Sequence, residues 1–290
     1  MKNIFIVTDF SAASRNAAIY GIELAKYFTS KVYLFHAFQS PVQVPESYIL
    51  YNTEDVWTNI KELLVKESEI INPDKLVDIE ICGSEGAAAK AINTEAMIKN
   101  ADLIICGMKS TAKGLRRVFG STTTALTRLT EIPLLVVPED ASFQKPVNIA
   151  LASDMDQETS AETVDMLKQL GEKFSSKLSV VWVVEEGLQE TYTKRLQPTA
   201  ILNNLKEMNP VYEFPKGSNV AQALEQYAEE NSIDLMAVIP HKHSFLNRLF
   251  VESTTTHLIF HTHIPLLLLH QQKSRDTKAE AGINDFSEKH

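Results

Sequence analysis

The sequence predicts an α/β protein made of two doubly wound domains, each built on a parallel sheet. Three observations predict this. Short apolar runs alternate with segments of helical periodicity through the whole chain. The runs lack the polar alternation of half-exposed strands, so both of their faces are expected to be buried, as parallel sheets require. The whole pattern then occurs a second time.

In chain order, "FIV" within "NIFIVTDFSAAS" reads as a first strand that ends at Thr8 and Asp9. "AAIYGIELAKYF" has the apolar spacing of a helix, and "VYLF" follows as a second strand ending at His36 and Ala37. "DVWTNIKELLVKE" and "AKAINTEAMIKNA" read as helices, "LIIC" as a strand that Gly107 closes, and "LLVV" as the last strand of this half. Polar "PEDASFQKPVN", Pro138 to Asn148, holds two prolines and suits a linker. Beyond it "NIALASDMDQET" again sets an apolar strand before an acid, Asp154, and "KLSVVWVV", "IDLMAVI" and "HIPLLLLH" repeat the later strands. At a gapless offset of 132, Ala101–Pro138 and Ile233–His270 agree at 13 of 38 positions and share Ser-Thr-Thr-Thr at the same place. That is a duplication. The expected domains are 1–140 and 147–271, followed by a solvated polar tail, 272–290.

Composition narrows the function classes. The chain has 290 residues and net charge -9, with 44% hydrophobic and 22% charged residues, the profile of a soluble globular protein. No apolar run approaches the roughly 20 residues that span a bilayer, and "MKNIFIVTDFS" has no long apolar core before a small-residue cleavage site, so no secretory leader is expected. An acidic balance argues against general nucleic-acid binding. Two cysteines, Cys82 and Cys106, fit a reducing compartment, and the expected location is the cytoplasm.

Against this acidic background, "GMKSTAKGLRRVFGSTTT" (Gly107–Thr124) gathers three glycines, four Lys or Arg and no acid. Gly107 allows a sharp turn or a ligand close to the backbone. Past Gly120 a helix can start with Ser121 as its N-cap, presenting free N–H groups and a partial positive charge. Lys109, Lys113, Arg116 and Arg117 surround that end. The set suits a phosphate group; a surface loop that caps a helix, its cations merely solvated, fits the same residues.

These residues, with the strand-end Asp9, "FHAF", "DLIICG" and "IPLLVVP", resemble the universal stress protein family in its tandem form, over nearly all of residues 1–271. The family's nucleotide-binding members carry G-x2-G-x9-G-[ST]; the frame here is Gly107-x2-Ser110-x9-Gly120-Ser121, with one glycine replaced. The resemblance implies Rossmann-like domains of the adenine-nucleotide alpha-hydrolase type. They would be joined about a pseudo-two-fold axis, with Leu134–Val137 beside Leu266–Leu269. It further implies that Thr8 and Asp9 meet the nucleoside and Ala37 the adenine edge. Gly107, Ser110 and Gly120 would meet the phosphates, with Ser121 and Thr122 at the helix start. Ser110 is the departure. If that position needs positive φ, serine costs about 1 kcal/mol or more; if it needs only a small side chain, the hydroxyl can donate to a phosphate.

In the second half Ile239, Lys242 and Glu252 replace Gly107, Ser110 and Gly120. A branched side chain and a carboxylate would crowd and repel a phosphate, so no nucleotide is expected there. Six of eight histidines lie between His241 and His270, and His257 and His261 have i, i+4 spacing. Without cysteine or H-E-x-x-H beside them, packed or solvated histidines are preferred over a zinc site. Enzyme signatures such as G-x-x-x-x-G-K-[ST] and G-x-S-x-G are absent. The expected function is therefore a stress-response protein, not an enzyme. Its first domain would bind an adenine nucleotide (ATP or AMP, with or without magnesium) as a regulatory ligand, and its second domain none. The alternatives are an interaction scaffold that binds no nucleotide and a slow ATP hydrolase. Expected partners are the nucleotide and either a further copy of the chain or a protein client; neither nucleic acid nor membrane is expected.

Overall fold

A computed structural model of the chain describes residues 1–39, 53–110, 117–118, 120–152, 161–184, 200–239 and 263–270. The apolar runs of the first half form β1 (Asn3–Val7), β2 (Lys31–Phe38), β4 (Leu103–Ser110) and β6 (Leu134–Pro138). β3 (Ile79–Glu85), a weakly apolar stretch that the sequence did not single out, adds the edge. Helices α1 (Ala12–Phe28), α2 (Thr53–Ile71), α3 (Ala88–Ile98) and α4 (Ser121–Leu129) connect them, and the short β5 (Arg117–Val118) folds back on the end of β4.

The strand order of this half is β3-β2-β1-β4-β6, with all five strands parallel. Period-two alternation sends Ile4 and Ile6 to the core beneath α1 and α2, and Phe5 to the core beneath α3 and α4. All three are 0% exposed. A strand apolar at every position is thus one buried on both faces, and the helices must cover both. The chain runs outward from β1 to β3, then crosses back to β4. The reversal leaves a crevice above the carboxyl ends of β1 and β4.

The second half rebuilds the same order. β7 (Asn148–Ala152), α5 (Asp165–Phe174), β8 (Lys177–Val181), α6 (Ala200–Leu205), β9 (Val211–Glu213), α7 (Val220–Glu230), β10 (Leu235–Val238) and β11 (Leu266–Leu268) give β9-β8-β7-β10-β11. The duplication extends to single hydrogen bonds. Asp102 accepts from the Asn3 N–H at 3.0 Å, and Asp234 from the Asn148 N–H at 2.7 Å. Ser30 and Ser176, each one residue past a left-handed C-cap (Thr29, Ser175), both donate a hydroxyl back to the segment before the first strand of their half.

The halves join edge to edge. β6 and β11 pair antiparallel, Leu134 with Leu268, Leu135 with Leu267 and Val136 with Leu266, making one eleven-stranded sheet of the described strands. Each would otherwise be an exposed apolar edge, a template for aggregation. Pro138–Asn148 is not a slack tether. Asn16 donates to the carbonyls of Pro138 and Ala141, at 2.8 Å each, and Phe143 packs on Tyr20 and Tyr27. Phe28 and Phe174, matching helix-end residues of the two halves, meet edge to face at 5.9 Å. Among the described residues no helix is long and apolar enough to cross a membrane.

Candidate functional site

The turn from β1 into α1 is built by "TDFSAAS", Thr8–Ser14. Asp9 Oδ1 accepts the Ser11 N–H at 3.0 Å, and Ser11 in turn caps α1 by accepting the Ser14 N–H. Thr8, 2% exposed, shares a hydrogen bond with the Ser14 hydroxyl and accepts the Phe10 N–H. Phe10 sits in the left-handed region, φ 61°, a conformation that costs a non-glycine residue about 1–2 kcal/mol. Its ring packs on His36 at 4.7 Å, and a hydrogen bond of 2.7 Å links His36 Nδ1 to the Thr8 carbonyl. The Ser11 N–H and Lys109 hold the Asp9 carboxylate at the end of β1. Burial opposes the charge of Asp9. The Ser11 and Ser14 hydroxyls, the Ser11 N–H and Lys109 more than offset it, and the pKa falls to about 2.

β4 does not stop at Gly107. It runs on to Ser110, where Lys109 pairs with Val118 and Ser110 with Arg117 in a β-hairpin. Ser110 therefore has strand backbone, and the positive-φ alternative does not apply. Lys109 Nζ reaches Asp9 Oδ2 at 3.2 Å, tying the ends of β1 and β4 across the reversal. Ala37, half-buried on β2 and in register with Ser84, lies on the other side of β1. Gly107 is required by packing: a Cβ there would stand 2.4 Å from the Ala13 carbonyl oxygen in the first turn of α1.

The N-cap of α4 is Gly120, not Ser121, which is the first helical residue and is exposed. Gly120 has φ -63° and ψ 161°, accessible to any residue, and a Cβ on it would meet nothing within 4 Å. Neither conformation nor packing asks for glycine at this helix start. Thr122 is half-buried, while Thr123 turns inward and meets Cys106 Sγ at 3.6 Å, fixing α4 over β4. Burial pushes the Cys106 thiol up to about 12, so it is a packing group rather than a nucleophile.

The structure thus brings Thr8, Asp9, Ala37, Gly107, Ser110, Gly120, Ser121 and Thr122 to the carboxyl edge of one sheet. Lys113 and Arg116 lie outside the described residues, as do Asp154, His241, Lys242, His243, Glu252, His257, His261 and the tail 272–290. Sequence reasoning did not single out Phe10, Ser11, Ser14 or the pairing of Lys109 with Asp9. The D-x-S-x-x-S spacing of Asp9, Ser11 and Ser14, an acid two residues before a serine N-cap, was the available signal. In the second half Ile239 stands where Gly107 does and is fully buried. The regular helix there starts only at Asp165, after a 3₁₀ turn at Ala161–Val164. Among the described residues no cluster of His, Cys, Asp and Glu has the makings of a metal site.

Comparison with known proteins agrees with this architecture. The chain is similar to the universal stress protein from Archaeoglobus fulgidus DSM 4304, at 14% identity over 93% of this chain and 98% of that one, TM-score 0.72. It is also similar to a putative universal stress protein from Pseudomonas aeruginosa UCBPP-PA14, at 12% identity over 93% of each chain, TM-score 0.56. A universal stress protein family protein from Arabidopsis thaliana with AMP bound matches at 17% identity over 48% of this chain and 92% of that one, TM-score 0.31. No curated protein matches by sequence. The model of the universal stress protein family matches residues 1–138 and 209–270, a segment in each half. With its doubly wound order repeated about one seam, the chain belongs to the universal stress protein family.

Proposed function

We propose that the first domain, residues 1–140, binds an adenine nucleotide as a regulatory ligand, and that the second, residues 147–271, binds none. One observation carries the reading. At the β1/β4 reversal, where doubly wound sheets hold their ligands, an acid and a lysine face each other 3.2 Å apart. The start of α4 belongs to the same carboxyl edge, and its glycine N-cap is required by neither packing nor conformation. Asp9 would accept from the ribose hydroxyls and Ala37 would border the base. Lys109, the Ser110 hydroxyl and the N–H groups at Gly120–Thr122 would receive phosphate. Asp9 is a poor general base at a pKa of about 2, which supports a held ligand over a hydrolysed one.

The test is mass spectrometry of ligand released from gently purified protein, followed by calorimetry with ATP and AMP. One nucleotide per chain is expected, and Gly120→Glu should abolish it with the fold intact. Two equivalent sites, or none for either nucleotide, would overturn the reading. Turnover of about one per second or faster would place the chain among enzymes instead. An interaction protein that binds no nucleotide is favoured by one observation: packing against Ala13 explains Gly107 without a ligand.

A further inference from the structure

The two halves differ where their matching helices end, remote from the crevice. α3 (Ala88–Ile98) and α7 (Val220–Glu230) correspond residue for residue at the offset of 132. The second half closes its helix with Glu229 and Glu230, both exposed. The first half has Met97 and Ile98 there, 63% and 62% exposed. Helix geometry sets where Met97 points. Ala96 faces the core, and the flank of α3 that carries Glu95 lies towards Cys82 of β3, whose thiol responds to the Glu95 charge. Met97 stands about 200° from Glu95 around the axis, on the flank turned to α4. Leu129, 42% exposed, ends α4 beside it, since α3 packs against α4 and both run to the same edge of the sheet. The sequence has His261 where the repeat would return Leu129. Met97, Ile98 and Leu129 thus form an apolar patch on the first half, at positions where the second half carries two glutamates and a histidine. Adjoining apolar side chains of this kind mark a surface that something covers.

The chain leaves the described residues next to this patch. β11 pairs antiparallel with β6, Leu268 opposite Leu134, which sets His270 opposite Ile132. His270 Nε2 bonds the Thr127 carbonyl at 3.0 Å, two residues before Leu129. Residues 271–290 follow. The stretch 271–278 alone reaches up to about 26 Å when extended, whereas packed helices lie about 8–10 Å apart. This tail is polar except at a few positions, and those are spaced. Ala279, Ile283 and Phe286 recur at i, i+4 and i+7, one face of a helix. Thr277 and Glu280 before them make a capping box. Four Lys or Arg balance four Asp or Glu, so the acidic body of the protein does not repel the segment. Gly282 and the short length leave such a helix marginal in water, and it needs a surface to fold on.

We propose that the tail of this chain docks on the first domain, residues 277–290 folding as an amphipathic helix against the ends of α3 and α4. Ile283 and Phe286 would cover Met97, Ile98 and Leu129. The glutamates that end α7 deny the same seat to the tail on the second domain. The interaction is intramolecular, and its site lies at the opposite end of the sheet from the nucleotide crevice.

The experiment follows the methionine methyl groups and the tail amides of the full chain by NMR. The Met97 methyl should resonate upfield, in the ring current of Phe286, and show a nuclear Overhauser effect to that ring. Phe286→Leu, a change outside both cores, should remove the upfield shift. Amides 279–287 should exchange at least about tenfold more slowly than in an unfolded peptide, and Ile283→Glu should abolish that protection. Met97→Glu with Ile98→Glu, the residues the second half carries, should release the tail as well. If that double variant does not fold, the two tail variants still decide. A Met97 methyl that ignores Phe286→Leu, or tail amides without protection, would overturn the proposal. So would a Met97 shift that disappears on dilution, the mark of a second copy on the patch.

Discussion

Leu135 and Leu267 face each other in the antiparallel pair that joins the two halves, and they are the same residue of the repeat, 132 positions apart. The pseudo-two-fold axis passes through this pair. Its neighbours exchange accordingly: Leu134 pairs with Leu268, the counterpart of Val136, and Val136 with Leu266, the counterpart of Leu134. The cores on both faces run through the seam, one holding Leu135, Val137, Leu267 and Leu269 and the other Leu134, Val136, Leu266 and Leu268.

Proline at Val136 removes a ladder donor from a strand paired on both sides. Hydrogen exchange should show Leu134–Val137 and Leu266–Leu268 losing protection together. Unchanged exchange in the second half would mean that the seam does not couple the domains.

The two glycines of the loop frame should respond oppositely to added side chains. Gly107→Val drives a side chain into the Ala13 carbonyl and should cost about 1–3 kcal/mol in urea unfolding. Gly120→Ala enters open space and should cost about 1 kcal/mol or less.

Arg15 binds Glu67 through two hydrogen bonds, at 2.9 and 2.6 Å, and Glu67 is only 2% exposed. Arg15→Ala strands that carboxylate between α1 and α2 and should cost about 2 kcal/mol, less than a fully buried pair because Arg15 remains partly in water. Replacing both by leucine should recover most of the loss in the same unfolding assay.

Asp9 should titrate at about 2 rather than 3.8 when its carboxyl carbon is followed by NMR. Its contribution to stability is present above the unfolded pKa and fades as pH falls towards 2. Ser11→Ala should raise the midpoint more than Lys109→Met, since the hydroxyl is the stronger of the two stabilising contacts.

His270 bonds the Thr127 carbonyl at 3.0 Å across the seam, and burial lowers its pKa below 6.5. The unfolded chain therefore binds the proton first, and folding stability should fall as pH drops below about 6.5. His270→Asn should flatten that slope in pH-dependent unfolding.

The sequence by itself determined the α/β plan, a parallel sheet with helices on both faces, and the repeat; the strand edges that meet were implied by the family resemblance. Runs such as "IFIV" and "LLLL", apolar at every position, are stable only with both faces covered, and chemistry of that kind is local. β3 escaped because an edge strand needs few apolar residues, and Ile79, Ile81 and Cys82 alone are a faint signal. The N-cap of α4 fell one residue early, at Gly120, because the cap is set by where the backbone leaves the helix and not by which residue caps best. Only tertiary structure decided what each polar residue faces. It set Lys109 on Asp9, seated the first turn of α1 against Gly107, and packed Pro138–Asn148 against α1. These contacts join residues up to 125 positions apart in sequence, and their geometry follows from strand order and register, which no local pattern of residues encodes.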